Sequence, residues 1–152
     1  MTKSQKRLVA ICCAAAMLLL LVLPFLLPLL ERRSQVPQTI STGRIEAAEV
    51  SIFYGVSSYA FASQDAALAQ SLADAFSGLT LARQEADFDF MTAMMVSFSG
   101  PKGSQGFWVD QNGVFLVSLR DDLSQTYLVS GGEFDYGAIY AVYAAGSSAN
   151  AG

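Results

Sequence analysis

Apolar residues are arranged in two different ways along this chain. From Leu8 to Leu30 they form an uninterrupted run of 23 uncharged residues, ten of which are leucine. At about 1.5 Å per residue, a helix of this length crosses the roughly 30 Å hydrocarbon core of a bilayer. Beyond residue 30 the apolar residues recur at the spacings of strands and amphipathic helices. The pattern predicts one transmembrane helix at residues 8–30, with the lipid bilayer as its partner, followed by a folded domain.

Charged residues on either side of this run predict its orientation. Three basic residues lie within residues 1–7, whereas Glu31 partly offsets the two arginines that follow it. The positive-inside rule then places the N-terminus in the cytoplasm and the C-terminal domain outside it, so the chain is predicted to be a single-pass cell-membrane protein. A cleaved signal peptide is the alternative, although its apolar stretch would span only about 7–15 residues and end at small residues. The polar residues 31–45 predict a short extended tether.

The first half of the domain predicts a β-hairpin and a helix. Val50, Ile52 and Tyr54 alternate with small or polar residues, which indicates a strand, and residues 59–62 predict its partner. Apolar residues then recur at helical spacing between residues 64 and 77, with Ser63 as the expected N-cap.

The second half predicts an antiparallel meander and a closing helix. Strands are expected from residue 79 to residue 98 and again from residue 106 to residue 129, with a hairpin turn at Asn112-Gly113. A second helix is predicted at residues 132–144, followed by a small polar tail at residues 146–152. The predicted fold class for residues 46–145 is α+β: an antiparallel sheet, built from a hairpin and a meander, with two helices packed on one face.

Charge and composition narrow the possible functions. After Arg33 the chain contains four basic and twelve acidic residues, a formal charge of −8, which repels nucleic-acid phosphates. The chain contains no histidine, and both cysteines, Cys12 and Cys13, lie within the apolar run. The domain therefore lacks the residues for a Ser-His-Asp or Cys-His arrangement and for a usual structural zinc site. No nucleotide-binding motif occurs, so we expect no enzyme activity and no cofactor.

Weaker signals leave small-ligand or cation binding open. Asp87 and Asp89 are spaced so that, in a strand, both carboxylates would point to one face, where they could bind a cation such as calcium. Lys102 and Ser104 could form a serine–lysine pair, although a lysine between glycine and proline residues is typical of an exposed turn. A further group of polar residues could meet at one end of the meander and bind calcium weakly, although it matches no complete calcium-loop pattern and turn chemistry is the better explanation: Asp110, Asn112, Asp121 and Asp122.

Aromatic residues are the best candidates for a binding surface, because tyrosine and tryptophan are enriched at protein interfaces. Phe107 and Trp108 are adjacent, so in a strand one of them faces outward. A stripe of tyrosines lies along one side of the last predicted helix. The possible protein-binding residues are Trp108, Tyr136, Tyr140 and Tyr143.

Taken together, residues 8–30, 50–53, 68–76 and 106–119 with the Asn112-Gly113 turn give the chain a recognisable layout. The layout resembles that of a loosely defined group of small membrane-anchored or exported domains of Gram-positive bacteria. This resemblance implies an α+β domain outside the cytoplasm; it carries over no catalytic residues and leaves activity open. The leading hypothesis is a protein-interaction module that binds another envelope protein.

Overall fold

A computed structural model describes residues 17–18, 21–23, 36–119 and 124–150. The chain divides into two units, Met1–Pro37 and Gln38–Gly152, and every helix and strand named below belongs to the second. In chain order they are β1 (Thr39–Ser41), β2 (Glu49–Tyr54), β3 (Ala60–Ser63), α1 (Ala66–Phe76), β4 (Thr80–Arg83), β5 (Met94–Gly100), β6 (Gly103–Val109), β7 (Val114–Ser118), β8 (Ser124–Gly131) and α2 (Tyr136–Asn150).

The fold class predicted from the sequence is wrong in two respects. The second unit is dominated by one eight-stranded antiparallel sheet, in place of an α+β hairpin and meander. Among the residues that the structure describes, no helix is long and apolar enough to cross a membrane. Within the predicted transmembrane segment, 8–30, the described residues are 17–18 and 21–23, which are helical, and the others lie outside the described part of the chain.

All the strand pairs are antiparallel, and the order across the sheet is β1-β4-β8-β7-β6-β5-β2-β3. The edge strand β1 lies in the segment predicted as a tether, where its short Thr-Ile-Ser sequence gives only one apolar position. Its Ile40 pairs with Leu81 of β4, and Leu81 is buried. A three-residue strand is too short for an alternating pattern, so pairing with β4 decides its structure.

One face of the sheet forms the core with both helices. In β5, Met94, Val96 and Phe98 are buried while the residues between them are only partly buried, the period of two expected of a strand with one covered face. Helix α1 covers this face through four buried residues, the last of which is Phe76. Phe76 contacts four other aromatic rings at centroid distances between 4.9 and 6.2 Å: Phe98, Phe107, Phe115 and Phe134.

Helix α1 begins two residues later than predicted because Asp65, not Ser63, is its N-cap. One carboxylate oxygen of Asp65 accepts hydrogen bonds from the backbone N–H groups of Ala67 and Leu68, at 2.9 and 3.3 Å. Helix α2 begins at Tyr136, after Asp135, whose side chain accepts from the Ala138 N–H at 3.2 Å. It continues through residue 150, into the segment predicted as a tail.

Candidate functional site

Three segments of the second unit meet at one end of the sheet. They are the turn that follows β2, the irregular loop at residues 84–93 between β4 and β5, and the first half of α2. The Gly55 N–H donates to the Ala93 carbonyl at 2.7 Å, and the Tyr136 hydroxyl donates to the Thr92 carbonyl. The loop is therefore held from both sides, by the turn and by the helix.

Glycine at position 55 is required by this close approach. Gly55 has a φ of +48°, and a Cβ atom there would lie 2.3 Å from the Met91 carbonyl oxygen. Any larger residue would be strained in this conformation and would also push the loop away. Gly55 thus fixes the distance between the turn and Met91.

A buried carboxylate holds the same loop to the β6–β7 hairpin. Asp110 is fully buried (0% exposed) and accepts three backbone hydrogen bonds. One oxygen accepts from Asn112 and Val114, at 2.9 and 3.0 Å, and the other from Asp89, at 3.1 Å. A buried charge is tolerated only where hydrogen bonds replace its hydration, and these three do so. Asp110 thereby shapes the hairpin turn and holds the loop against it.

Asp89 shapes the tip of the loop. Its carboxylate accepts from the Met91 N–H at 2.9 Å and from the Thr92 hydroxyl at 2.9 Å. This local side-chain-to-backbone bonding is typical of aspartate in turns and competes with strand formation. Strand β5 consequently begins at Met94, and residues 84–93, which lie within the stretch 79–98 predicted to form strands, are irregular.

Apolar side chains at this end of the sheet are left in solvent. Val56 is 79% exposed, Met91 62%, Phe90 60% and Tyr140 39%. We call these four residues the apolar patch. Phe90 is supported by an edge-on contact with Phe88, with ring centroids 4.8 Å apart, and Tyr140 by a contact with Tyr54 at 5.1 Å. Neighbouring exposed apolar residues, held by a rigid scaffold, are typical of a protein-binding surface.

The structure brings three of the four predicted binding residues together. Tyr140 is exposed, Tyr136 is half-buried, and Tyr143 is buried, with its hydroxyl 2.9 Å from the Ser57 Oγ atom. Ring centroids of Tyr136 and Tyr140 lie 6.3 Å apart, as do those of Tyr140 and Tyr143. Trp108 is half-buried on the opposite face of the sheet, paired with Met95 and Leu116.

Sequence reasoning missed Val56, Phe90 and Met91. The available signal was the Asp89-Phe90-Met91-Thr92 segment, in which an aspartate three residues before a threonine is suited to closing a turn. Two large apolar residues in a turn indicate a binding surface, because turns lie in solvent. The same residues in an alternating strand would be expected on its buried face.

Acidic residues of the loop do not form the paired-carboxylate site considered from the sequence. Asp87 is exposed in the loop, whereas Asp89 and Asp110 are occupied by hydrogen bonds within the protein. In the described part of the chain, no three acidic, cysteine or histidine residues are grouped closely enough to hold a metal ion. Asp121 and Asp122 lie outside that part.

Lys102 and Ser104 do not contact each other. The Lys102 Nζ atom lies 2.7 Å from Glu46 Oε1, and the Ser104 hydroxyl lies 3.1 Å from that of Ser99. The hydrogen bond from Lys102 is the largest cause that lowers the pKa of Glu46, followed by the charge of Lys102. This exposed pair ties the β5–β6 turn to residue 46.

Raising the pH should reveal the contribution of Tyr136 to the stability of the fold. Burial raises the pKa of Tyr136 well above its ordinary value of 10.0, and the negative charges of Tyr54, Tyr140 and Asp110 raise it further. As the pH rises, the hydroxyl of Tyr136 therefore loses its proton in the unfolded chain before it does so in the folded protein. The contribution of protonated Tyr136 to the free energy of unfolding is complete below about pH 10 and is lost as the pH rises beyond it. Urea unfolding of the wild type between about pH 9 and pH 11 should show a steeper loss than Tyr136→Phe. Identical slopes would contradict this assignment.

No protein-family model matches this chain, and neither does a curated protein or a solved structure.

Proposed function

We propose that the second unit is a protein-interaction module, and that the apolar patch is its contact surface. The observation that carries the proposal is the exposure of Val56, Phe90 and Met91 on segments that are hydrogen-bonded to the rest of the fold. Because the backbone of these segments is already held in place, little backbone entropy is lost on binding, so burial of the side chains by a partner contributes directly to affinity.

The chemistry of the partner follows from the charges around the apolar patch. Exposed carboxylates lie on the same loop as two residues of the apolar patch and just before the helix that carries a third: Glu85 and Asp87 in the loop and Asp135 immediately before α2. A partner that presents an apolar anchor with lysine or arginine residues at its margin complements this surface. Acidic residues at the rim then speed association and exclude acidic proteins.

A photo-crosslinking experiment tests this proposal. We place a photo-reactive amino acid at position 91 of the full-length chain, expressed in its source cells, and compare it with the same residue at position 71, on the exposed side of α1. One reproducible crosslinked protein is expected from position 91 and none from position 71. Adding Val56→Asp should reduce its yield about tenfold, because a charge would then be buried against an apolar partner.

The matched control for this variant is Ser71→Asp, which adds the same charge on an exposed surface remote in sequence from the apolar patch. It should leave both the yield and the unfolding temperature unchanged. A yield that is equal in Val56→Asp and in wild type, or the absence of any reproducible product from position 91, would overturn the proposal.

The location of the module outside the cytoplasm stays a separate proposal. It depends on the basic residues within 1–7, which lie outside the described part of the chain. Protease added to intact cells digests an exported domain and leaves an internal one untouched, so resistance of residues 46–145 would exclude this location.

A further inference from the structure

Strands β6 and β7 separate shortly after they meet. All seven residues of β6 pair with β5, and all five residues of β7 pair with β8. Between β6 and β7, however, only two pairs form, Trp108 with Leu116 and Val109 with Phe115. Among the described strands, residues 103–107 and 117–118 therefore have a ladder on one side only.

The separation leaves two strand edges facing each other inside the sheet. Residues of an antiparallel strand direct their N–H and C=O groups alternately to one neighbour and to the other. The Asp110 N–H donates to Val114 at 3.0 Å, so this alternation assigns the groups of Trp108 and Gly106 to the β7 side. Trp108 meets Leu116 there, whereas Gly106 meets the gap. Such edges are templates for pairing with another strand.

A cleft of about 380 Å³ occupies this gap. It is lined by residues 105–108 of β6, residues 115–118 of β7, and Ile40, Thr42 and Leu81. The lining is mainly apolar and carries no charged side chain, in a domain whose formal charge is −8. Its volume lies within the range of pockets that bind small ligands or a few side chains, about 300–1,000 Å³.

The glycine at position 106 allows the backbone of another segment to come close to the β6 side of the cleft. A Cβ atom at position 106 would lie 3.4 Å from the Ser97 hydroxyl oxygen, an ordinary contact, so packing within the fold does not require glycine there. Glycine within a strand commonly marks a place where another backbone comes close. The missing side chain leaves the edge of β6 accessible from the cleft.

We propose that the cleft binds an extended segment of another polypeptide, which adds backbone hydrogen bonds to the facing edges of β6 and β7. The segment is uncharged where it lies in the cleft, because the walls offer no counter-charge, and it is flanked by basic residues that the acidic domain attracts. Backbone pairing supplies affinity, and alternate side chains that enter the cleft supply specificity, as in other strand-addition complexes. This site is separate from the apolar patch and does not depend on it.

Trp108 makes the test direct, because it lines the cleft and is the only tryptophan of the chain. The probe is a synthetic seven-residue peptide of alternating valine and threonine with a lysine at each end, titrated into the full-length protein while tryptophan fluorescence is recorded. Saturable change in intensity and wavelength is expected. A matched peptide that is N-methylated at alternate residues, and so cannot complete a ladder, should bind at least about tenfold more weakly.

Two variants locate the binding. Leu116→Arg places a charge in the cleft wall and should abolish the fluorescence change, whereas Leu128→Arg, at a half-buried position of β8 outside the lining, should preserve it. Equal binding of both peptides would show an apolar pocket in place of a strand site and would overturn the proposal. No saturable change with the first peptide, or a change that persists in Leu116→Arg while circular dichroism remains native, would also overturn it.

Discussion

Replacing Phe76 by alanine is expected to lower the free energy of unfolding by about 3–5 kcal/mol, the range observed when a buried phenylalanine is truncated. Phe76 is fully buried at the end of α1, and its ring contacts four other phenylalanines from β5, β6, β7 and the segment before α2. Alanine would remove the ring that the four other phenylalanines contact and would leave a cavity between the helix and the sheet. Urea unfolding monitored by circular dichroism measures the loss.

Phe53→Ala is the matched control, because it removes the same atoms from a side chain that is about half exposed on the opposite face of β2. We expect a loss of no more than about 1 kcal/mol from this change. A similar loss from the two variants would show that the contacts of Phe76 do not hold the helix on the sheet, contrary to the arrangement described above.

Asp110→Ala is expected to lower the free energy of unfolding by about 2–5 kcal/mol, because it leaves one buried and two partly buried backbone donors without acceptors. The groups affected are the N–H of Asp89, Asn112 and Val114, which belong to the loop and to the hairpin turn. Their amide hydrogen exchange should accelerate more than that of β2 or β5. Asp87→Ala, at an exposed position in the same loop, should change neither stability nor exchange measurably.

Asp110→Asn separates the effect on the hairpin turn from the effect on the loop. The amide oxygen can still accept from Asn112 and Val114, whereas the amide nitrogen would face the Asp89 N–H, where a donor meets a donor. We therefore expect the hairpin turn to stay protected and the Asp89 amide alone to exchange faster. Uniform acceleration at all three amides would contradict the division of roles between the two carboxylate oxygens.

The local elements were largely predictable from the sequence, and the sheet as a whole was not. Alternation located β2, helical spacing located α1, and the Asn112-Gly113 pair located the β6–β7 hairpin, because each signal is contained within a few residues. The position of β4 beside β8 depends on pairing between residues about 50 apart, such as Leu81 and Val129. No local pattern encodes such a pairing, so the number and order of strands remained hidden.

The apolar patch was only partly predictable for a related reason. Tyr140 follows from the helix pattern, since a tyrosine stripe beside an apolar stripe is placed at the margin of the covered face. The exposure of Met91 and Val56 depends on hydrogen bonds that the Gly55 N–H donates and that the carboxylates of Asp89 and Asp110 accept, which prevent two short segments from forming strands. Side-chain-to-backbone bonds override alternation here, and they become visible only once the loop is seen next to the hairpin.

The strand order has a consequence for how the protein is made. Strands β4 and β5 are consecutive along the chain, yet β8, β7 and β6 lie between them. As the chain leaves the ribosome, β2, β3, β5 and β6 can pair as soon as they emerge, whereas the pair formed by β1 and β4 cannot join the sheet until β8 has been synthesised as far as Gly131. Until then a two-stranded piece with an apolar face has no partner sheet. The interval between residues 83 and 131 is therefore the time during which a nascent molecule is most exposed to aggregation.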